Sequence, residues 1–199
     1  MPFARPWTGA PALHPHLRAM PIPRRTLLAL IAATPTRAAE DPLALLARPG
    51  HLAIMRHADA PGGGDPGGFR LDDCATQRNL GPLGRAQATR LGDRLREAGI
   101  THLRVLTSQW CRTRETARLL GFAPPEDLPI LNSFFADRPA GPARTDALRA
   151  WIATAVDEPT LLVTHQVNIT ALTGIFPASA ELLVLRRAPL TVAARLPPA

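Results

Sequence analysis

The sequence has no lysine and no tyrosine, and aromatic residues make up only 5% of its 199 positions. All 23 basic residues are arginine, and another 22 positions are proline, a bias typical of a GC-rich genome. Nucleic-acid binding needs a basic stripe interleaved with aromatic side chains, and the chain after residue 39 contains none. We therefore expect no DNA or RNA partner, and an anionic small molecule is easier to accommodate.

Long apolar runs are also missing. The run over residues 27–33 is far shorter than the roughly 20 apolar residues that a membrane-spanning helix needs. We therefore expect no stable membrane insertion. The apolar content of 46% is ordinary for one globular domain, and the chain length fits one domain with an extension.

Acidic residues are absent from residues 1–39, which carry five arginines. Removing these charges from the net charge of +7 leaves +2 for the rest of the chain. Arg24-Arg25-Thr26 precedes the apolar run, and small residues follow around Ala38, as in a twin-arginine export signal. We expect residues 1–39 to be a signal cleaved near Ala38, and the protein to be periplasmic or secreted. The alternative is a disordered basic tail on a cytoplasmic enzyme, or an organelle transit segment.

Residues 40–199 show strands and helices in alternation, which predicts an α/β fold with a largely parallel sheet. The predicted strands cover residues 52–55, 103–106, 128–131, 160–163, 182–185 and 190–193. Predicted helices run from Pro82 to the residue before Gly99, from a cap at Ser108, and through Leu148 and Ile152. Ligands of such sheets bind beyond the carboxyl ends of the strands, where His57 and His165 lie.

The stretch from residue 58 to residue 79 is rich in glycine and is predicted to be a long loop. It lacks the Gly-Lys-Ser/Thr ending of a phosphate-cradling P-loop, so it is not expected to bind a nucleotide in that way. Long loops in compact domains are often functional.

Four short segments carry the chemistry, each at the end of a strand or the start of a helix. They are Arg56-His57-Ala58, Arg78-Asn79-Leu80, residues 108–113 (Ser-Gln-Trp-Cys-Arg-Thr) and Thr164-His165. In this order they resemble the histidine phosphatase superfamily, and most nearly its short exported bacterial members, such as the lipopolysaccharide core heptose phosphatase-like proteins. The resemblance implies a three-layer α/β/α sandwich with a mostly parallel central sheet, as in phosphoglycerate mutases.

The resemblance also implies roles for the residues that match. His57 would accept the phosphoryl group, and Arg56 and Arg112 would clamp it, because a guanidinium stays charged and binds phosphate bidentately. His165 would join this clamp. Arg78 is a further candidate for substrate binding, or else it forms a salt bridge between the loop and the helix.

A poor leaving group needs a general acid, and here the chain departs from one branch of the family. That branch has Asp directly after the second histidine, whereas this chain has Gln166 after His165. The other branch places its acid between the second arginine and the second histidine, which makes Asp137 the first candidate. Asp137 could equally be a solvated loop residue paired with the arginine that follows it. Asp59 or Glu181 could serve instead, or no acid is present.

The expected activity is the hydrolysis of a small phosphomonoester, without a cofactor or a metal, because Arg56 beside His57 would repel a cation. The alternatives are a phosphohistidine or phosphoprotein phosphatase, which needs no strong acid, and a pseudoenzyme that binds phosphate without turnover. The two cysteines, Cys74 and Cys111, could pair in an oxidising compartment or remain free thiols.

Overall fold

The structure, a computed structural model, describes residues 41–198. The predicted export signal therefore lies outside the described residues. The helices are α1 (Pro42–Leu46), α2 (Pro82–Glu97), α3 (Cys111–Leu119), α4 (Gly141–Thr154) and α5 (Gln166–Thr173). The strands are β1 (His51–Arg56), β2 (Arg104–Thr107), β3 (Glu126–Asp127), β4 (Thr160–Thr164), β5 (Leu182–Arg187) and β6 (Leu190–Leu196).

One six-stranded sheet with the order β3-β2-β4-β1-β5-β6 forms the middle of the described part. Strands β3, β2, β4 and β1 are parallel to one another. Strand β5 pairs with β1 in antiparallel orientation, and β6 pairs with β5 in antiparallel orientation. The expectation of a mostly parallel sheet is confirmed. Because β1, β2 and β4 are adjacent and parallel, their carboxyl ends meet at one edge of the sheet.

The two faces of the sheet carry separate hydrophobic clusters, as the alternation of side chains along a strand requires. From β1, Ala53 and Met55 pack into the cluster that contains the apolar residues of α1, α2 and α3. Leu52 and Ile54 pack into the cluster of α4 and α5 on the opposite face. The predicted three-layer α/β/α sandwich is therefore confirmed.

Helix α2 has the predicted beginning and end. Gly81 is its N-cap, Pro82 is its first residue, and Gly99, which has a φ of +83°, follows its C-cap. Gly84 explains how this helix can lie against the segment after β1, since a Cβ there would come within 2.0 Å of the backbone oxygen of Asp59. This close approach positions the first residues of the loop after His57.

Two predictions at the level of elements are wrong. Residues 128–131 are not a strand, because β3 ends at Asp127 and Pro129–Leu131 forms a 3₁₀ turn. Ser108 is not the cap of α3, whose N-cap is Trp110. The hydroxyl of Ser108 is instead buried beside His165, which places it among the residues of the candidate site.

Helices α1 and α5 were not predicted. Helix α1 has only five residues, and α5 contains valine, isoleucine, threonine and asparagine, which have low helix propensity. Buried Ile169 and Leu172 hold α5 against the sheet.

Among the described residues, no helix combines the length and the apolar character that crossing a membrane requires.

Candidate active site

A cavity of about 190 Å³ lies at the carboxyl ends of β1 and β4. Its lining brings together the predicted residues Arg56, His57, Arg78, Arg112 and His165. The other lining residues are Gly62, Gly63, Gly64, Asp65, Ser133, Phe135, Gln166 and Val167. The glycine-rich loop therefore forms one wall of the cavity, and five of the six predicted site residues meet there.

His57 is 2% exposed, and its two ring nitrogens have different partners. Nδ1 lies 2.8 Å from the carbonyl oxygen of Ala58, which can only accept, so Nδ1 carries the hydrogen. Nε2 lies 3.2 Å from Nε of Arg112, which can only donate, so Nε2 holds an unshared electron pair. The ring is thus fixed in the tautomer that a nucleophile needs.

The pKa of His57 is lowered to about 3. Burial is the largest cause, and the positive charges of Arg112, Arg56 and Arg78 act in the same direction, whereas the hydrogen bond to Ala58 opposes them. The imidazole is therefore neutral at pH 7.

This lowered pKa predicts a loss of stability in acid. Below pH 6.5 the unfolded chain binds a proton at His57 that the folded protein does not bind until about pH 3, so the free energy of unfolding should fall in that window. The contribution of one such histidine is about 1.4 kcal/mol per pH unit. Urea unfolding at pH 7 and pH 5 should show a smaller loss for His57→Asn than for the wild type. Equal losses would contradict the buried, neutral imidazole.

Arg112 is 4% exposed, and every nitrogen of its guanidinium has a partner. Besides the hydrogen bond to His57, Nη1 and Nη2 donate to the two carboxylate oxygens of Asp65 at 2.6 and 3.0 Å. Nη2 also lies 3.4 Å from Nδ1 of His165. Arg112 therefore stands between the two histidines and presents its bidentate fork to an anion.

Asp65 is the anion on that fork, and sequence reasoning missed it. Its carboxylate also accepts from Nε1 of Trp110 at 3.1 Å and from the backbone N of Arg78 at 3.1 Å. Burial alone would raise the pKa of Asp65, but the hydrogen bonds and charge of Arg112 hold it below the ordinary value. Asp65 is therefore ionised and occupies the position in which Arg112 could bind a phosphate. Only the path of the glycine-rich loop brings it there.

Arg56 and Arg78 line the same cavity and are not saturated with partners. Arg56 donates through Nη1 to the carbonyl of Pro177 at 3.2 Å, and Arg78 donates to the carbonyls of Ala60 and Gly62. In each guanidinium the buried Nε has no hydrogen-bond partner. Burial and the nearby charge of Arg112 lower the pKa of both. Crowded cations with unused donors form a site that favours an anion.

His165 is buried beside this cluster, and two neighbours hold its ring. Nε2 lies 2.8 Å from Oγ of Ser108, and the ring is in edge contact with Trp110 at a centroid distance of 5.1 Å. Burial is the main cause that lowers the pKa of His165. The centroid of His57 lies 5.5 Å away, so the two histidines face one small space.

The structure does not bring Asp137 to the cavity. Asp137 is exposed at the start of a 3₁₀ turn, Arg138–Ala140, and does not line the cavity. Neither of the other two candidate acids lines it. Glu181 is buried but bound to Arg195 at 2.6 Å, and Asp59 is half-buried near Arg56 and Arg78 without lining the cavity. Among the described residues, Asp65 is the carboxyl group that lines the cavity.

Cys74 and Cys111 form a disulfide in the structure, with their Cα atoms 5.7 Å apart. It joins the loop before Arg78 to the first residue of α3, directly beside Arg112. Between these points, Oε1 of buried Gln77 accepts from the backbone N of Cys111 at 3.0 Å. The disulfide and this hydrogen bond hold the loop against the helix that carries the guanidinium.

The described residues contain no group of three or more His, Cys, Asp or Glu side chains that could hold a metal ion.

Part of the chain matches a known protein family, and solved structures share its fold. Residues 52–134 match the family model of the histidine phosphatase superfamily, branch 1. No curated protein matches the sequence. SixA from Nakamurella multipartitia is a similar solved structure, with 24% identity, coverage of 80% of this chain and 99% of that one, and a TM-score of 0.55.

Two further solved structures are similar to a comparable degree. SixA from Agrobacterium tumefaciens has 22% identity, coverage of 76% of this chain and 100% of that one, and a TM-score of 0.52. The protein histidine phosphatase SixA in complex with tungstate has 20% identity, coverage of 74% and 96%, and a TM-score of 0.53. At these identities the similarity shows a common fold.

Proposed function

The chain belongs to the histidine phosphatase superfamily, and we propose that it hydrolyses a phosphomonoester through a phosphohistidine on His57. Members of this superfamily act on small phosphorylated substrates. The observation that carries the proposal is the unprotonated Nε2 of His57, which shares one cavity with Arg56, Arg78 and Arg112. A nucleophile beside three guanidinium groups is suited to phosphoryl transfer, in which negative charge spreads over the phosphoryl oxygens.

The substrate phosphate would replace the Asp65 carboxylate on Arg112. Nε2 of His57 then forms a bond to phosphorus while the bond from phosphorus to the alcohol oxygen breaks, and this oxygen takes up a proton. In the second step water attacks phosphorus and gives a proton to Asp65, which the first step left ionised. The bond to Nε2 breaks, and phosphate leaves with His57 neutral again. Arg56, Arg112 and His165 stay in contact with the phosphoryl oxygens in both steps.

Asp65 also replaces Asp137 as the proposed proton donor. While it is paired with Arg112 it is ionised and cannot donate a proton. Once a phosphate takes Arg112, Asp65 loses its cation and faces new negative charge, and both changes raise its pKa. It would then take up a proton and lie beside the leaving oxygen.

The Asp65→Asn variant tests both parts of this proposal. Because phosphate would no longer compete with a carboxylate, the inhibition constant of inorganic phosphate should fall by about tenfold, the scale of one charge-assisted interaction. Turnover of alkyl phosphates should slow far more than turnover of aryl phosphates, which need less protonation. Asp72→Asn in the same loop is the control, since Asp72 is exposed and faces Arg70. An unchanged inhibition constant would remove Asp65 from the phosphate position.

A phosphohistidine or phosphoprotein substrate is the second candidate. The ionised state of Asp65 favours the phosphohistidine, because the imidazole of a phosphohistidine leaves more easily than an alcohol and needs no strong acid in the resting enzyme. Parallel assays with a phosphohistidine peptide and a panel of phosphomonoesters separate the two candidates by their kcat/KM values.

Trapping the intermediate tests the proposed function itself. The reaction with a ³²P-labelled aryl phosphate should be quenched with alkali during turnover. The phosphohistidine linkage survives in alkali, whereas acid would hydrolyse it. The label should then map to the peptide that contains His57. Turnover without a labelled peptide, or with label on serine or aspartate, would exclude the mechanism, and binding of phosphate without turnover would indicate a pseudoenzyme.

We also propose that the enzyme works outside the cytoplasm, in the periplasm or after secretion. The disulfide between Cys74 and Cys111 supports this, because disulfides form and persist in oxidising compartments. The twin-arginine motif of the sequence supports the same location.

The disulfide should be present in protein recovered from the periplasmic fraction and should contribute to stability. The two cysteines are 37 residues apart, and cross-linking a loop of this length stabilises by about 4 kcal/mol in the chain-entropy model. Reduction should lower the free energy of unfolding of the wild type by that order, and should leave the Cys74→Ser/Cys111→Ser variant unaffected. Two titratable thiols in the native protein would exclude the bond.

A further inference from the structure

A second hollow, of about 380 Å³, lies next to the candidate active site. Its apolar lining consists of Pro66, Phe69, Trp110, Phe135 and Ala136. Phe69 and Trp110 contact each other with ring centroids 5.6 Å apart. The volume is within the range of small-molecule sites, roughly 300 to 1,000 Å³.

The hollow and the active-site cavity share a wall. Gly64, Asp65, Ser133 and Phe135 line both of them. Trp110 extends this connection, since its ring forms part of the hollow and is also in edge contact with His165. A group attached to a phosphate on Arg112 would therefore reach the hollow directly.

The hollow offers an incoming group apolar surface and little free charge. Asp65 is the one ionisable side chain in its lining, and once phosphate takes Arg112 the proposed function has Asp65 protonated, so it adds no charge to the hollow. Oγ of Ser133 accepts from the backbone N of Phe135 at 3.2 Å. A sugar or a glycerol group would lose hydrogen bonds to water here without replacing them, whereas an apolar group would gain from burial.

Phe135 stands at the edge of the hollow with 56% of its surface exposed, although it is a large apolar side chain. The guanidinium of Arg138 lies over its ring, 4.7 Å from the centroid, and supports it from the outer side. An exposed aromatic ring beside a catalytic cavity is available to cover part of a bound molecule.

We propose that this hollow holds the leaving group and that the enzyme selects phosphomonoesters of aromatic or other apolar alcohols. The proposal rests on the proposed phosphatase function and adds the substrate class. Phe135 and Phe69 are the residues that determine this specificity, and the arginine cluster binds the phosphate of any substrate equally.

Binding of two phosphonates tests the hollow without requiring turnover. Calorimetry on the wild type should show that 2-phenylethylphosphonate binds about tenfold more tightly than ethylphosphonate, the factor expected from burying roughly 60 Å² more apolar surface. Phe135→Ala should remove most of this preference, Phe135→Leu should keep much of it, and Phe69→Ala provides an independent second variant.

Phe122→Ala is the matched control. Phe122 also lies under an arginine, with Arg96 5.6 Å from its ring centroid, but it lines neither the cavity nor the hollow. It should leave the ratio of the two dissociation constants unchanged. Equal affinities of the wild type for the two phosphonates would overturn the proposal.

Hydrolysis of 2-phenylethyl phosphate and ethyl phosphate separates this proposal from the proposed function, because their alcohols have similar basicity. A higher kcat/KM for the phenylethyl ester, lost in Phe135→Ala mainly through KM, supports both. Hydrolysis at equal rates rejects the subsite but not the phosphatase. No hydrolysis of either ester, with the phosphonate preference intact, rejects the phosphatase but not the apolar subsite. A phosphohistidine peptide that is hydrolysed faster than both esters, with a rate insensitive to Phe135→Ala, also rejects the proposed substrate class.

Discussion

Replacing His57 with alanine should lower kcat/KM for an aryl phosphate by about 10⁴-fold or more and abolish the labelled intermediate. The reason is that Nε2 of His57 supplies the electron pair that attacks phosphorus, and His165, the second histidine of the cavity, cannot take its place. Nε2 of His165 is engaged with Ser108 at 2.8 Å, and Nδ1 faces Arg112. The measurement is steady-state hydrolysis together with the alkali-quenched label.

The control for this variant is His102→Ala. His102 has a side chain that is 74% exposed and lies 3.8 Å from Glu158, away from the cavity. It should retain wild-type kinetics. Near-normal turnover in His57→Ala, with a circular dichroism spectrum that shows an intact fold, would falsify the assignment of His57 as the phosphoryl acceptor.

Replacing Arg112 with lysine should lower kcat/KM by roughly 10² to 10³-fold, although the charge is kept. The guanidinium contacts His57, His165 and the Asp65 position with different nitrogens, and an ammonium group cannot make these contacts at the same time. The loss should appear in kcat as well as in KM, because the fork stabilises charge on the phosphoryl oxygens during transfer.

Arg114→Lys on the same helix is the matched control. Arg114 forms a bidentate pair with Asp127 on the exposed side of α3, so its replacement keeps the helix and the cavity unchanged. If both lysine variants lose the same amount of activity, the effect of Arg112 is structural and not catalytic. Arg112→Lys still places a cation beside Asp65, which limits the cost of leaving that carboxylate buried.

The pairing of Arg112 with Asp65 gives the resting enzyme an internal anion in the phosphate position. An incoming phosphate must therefore displace a carboxylate that has four donors, namely both Nη atoms of Arg112, Nε1 of Trp110 and the backbone N of Arg78. This arrangement compensates the charge of buried Arg112, and part of the charge of half-buried Arg78, in the absence of substrate. It also means that phosphate affinity and the protonation of Asp65 are linked, since each favours the release of Asp65 from Arg112.

Some elements of the fold could be predicted from the sequence and others could not. Strand β1 and helix α2 could be predicted because their signals are local, a short apolar run and a capped helical repeat that ends at Gly99. Residues 128–131 have the apolar pattern of a strand, but they include Pro129, which has no backbone N–H for a sheet hydrogen bond. They form a 3₁₀ turn that packs against the cluster of α4 and α5. Helix α5 has little local signal, and its packing on the sheet determines it.

The candidate site shows the same division. Arg56, His57 and His165 could be placed from sequence, because residues at the carboxyl end of a strand in a parallel sheet lie at the edge where ligands bind. Their roles came from the resemblance to the histidine phosphatase superfamily. Arg112 could be assigned from the motif around it. No such rule applies to a carboxyl in a long loop. The resemblance to one branch of the family favoured Asp137, whereas the loop after β1 brings Asp65 to Arg112 across 47 residues.

By itself, the sequence determined the α/β class, the order of most elements and the two histidines and arginines that meet at one edge of the sheet. The fold class and the elements depend on local periodicity and on the geometry that all parallel sheets share, whereas the histidines and arginines also needed the resemblance of their motifs to the histidine phosphatase superfamily. Only the tertiary structure decided that Asp65 binds Arg112, that Cys74 pairs with Cys111, and that Phe69, Trp110 and Phe135 enclose an apolar hollow. These features depend on how two loops without regular structure pack against α3, and that packing comes from contacts between residues far apart in the chain.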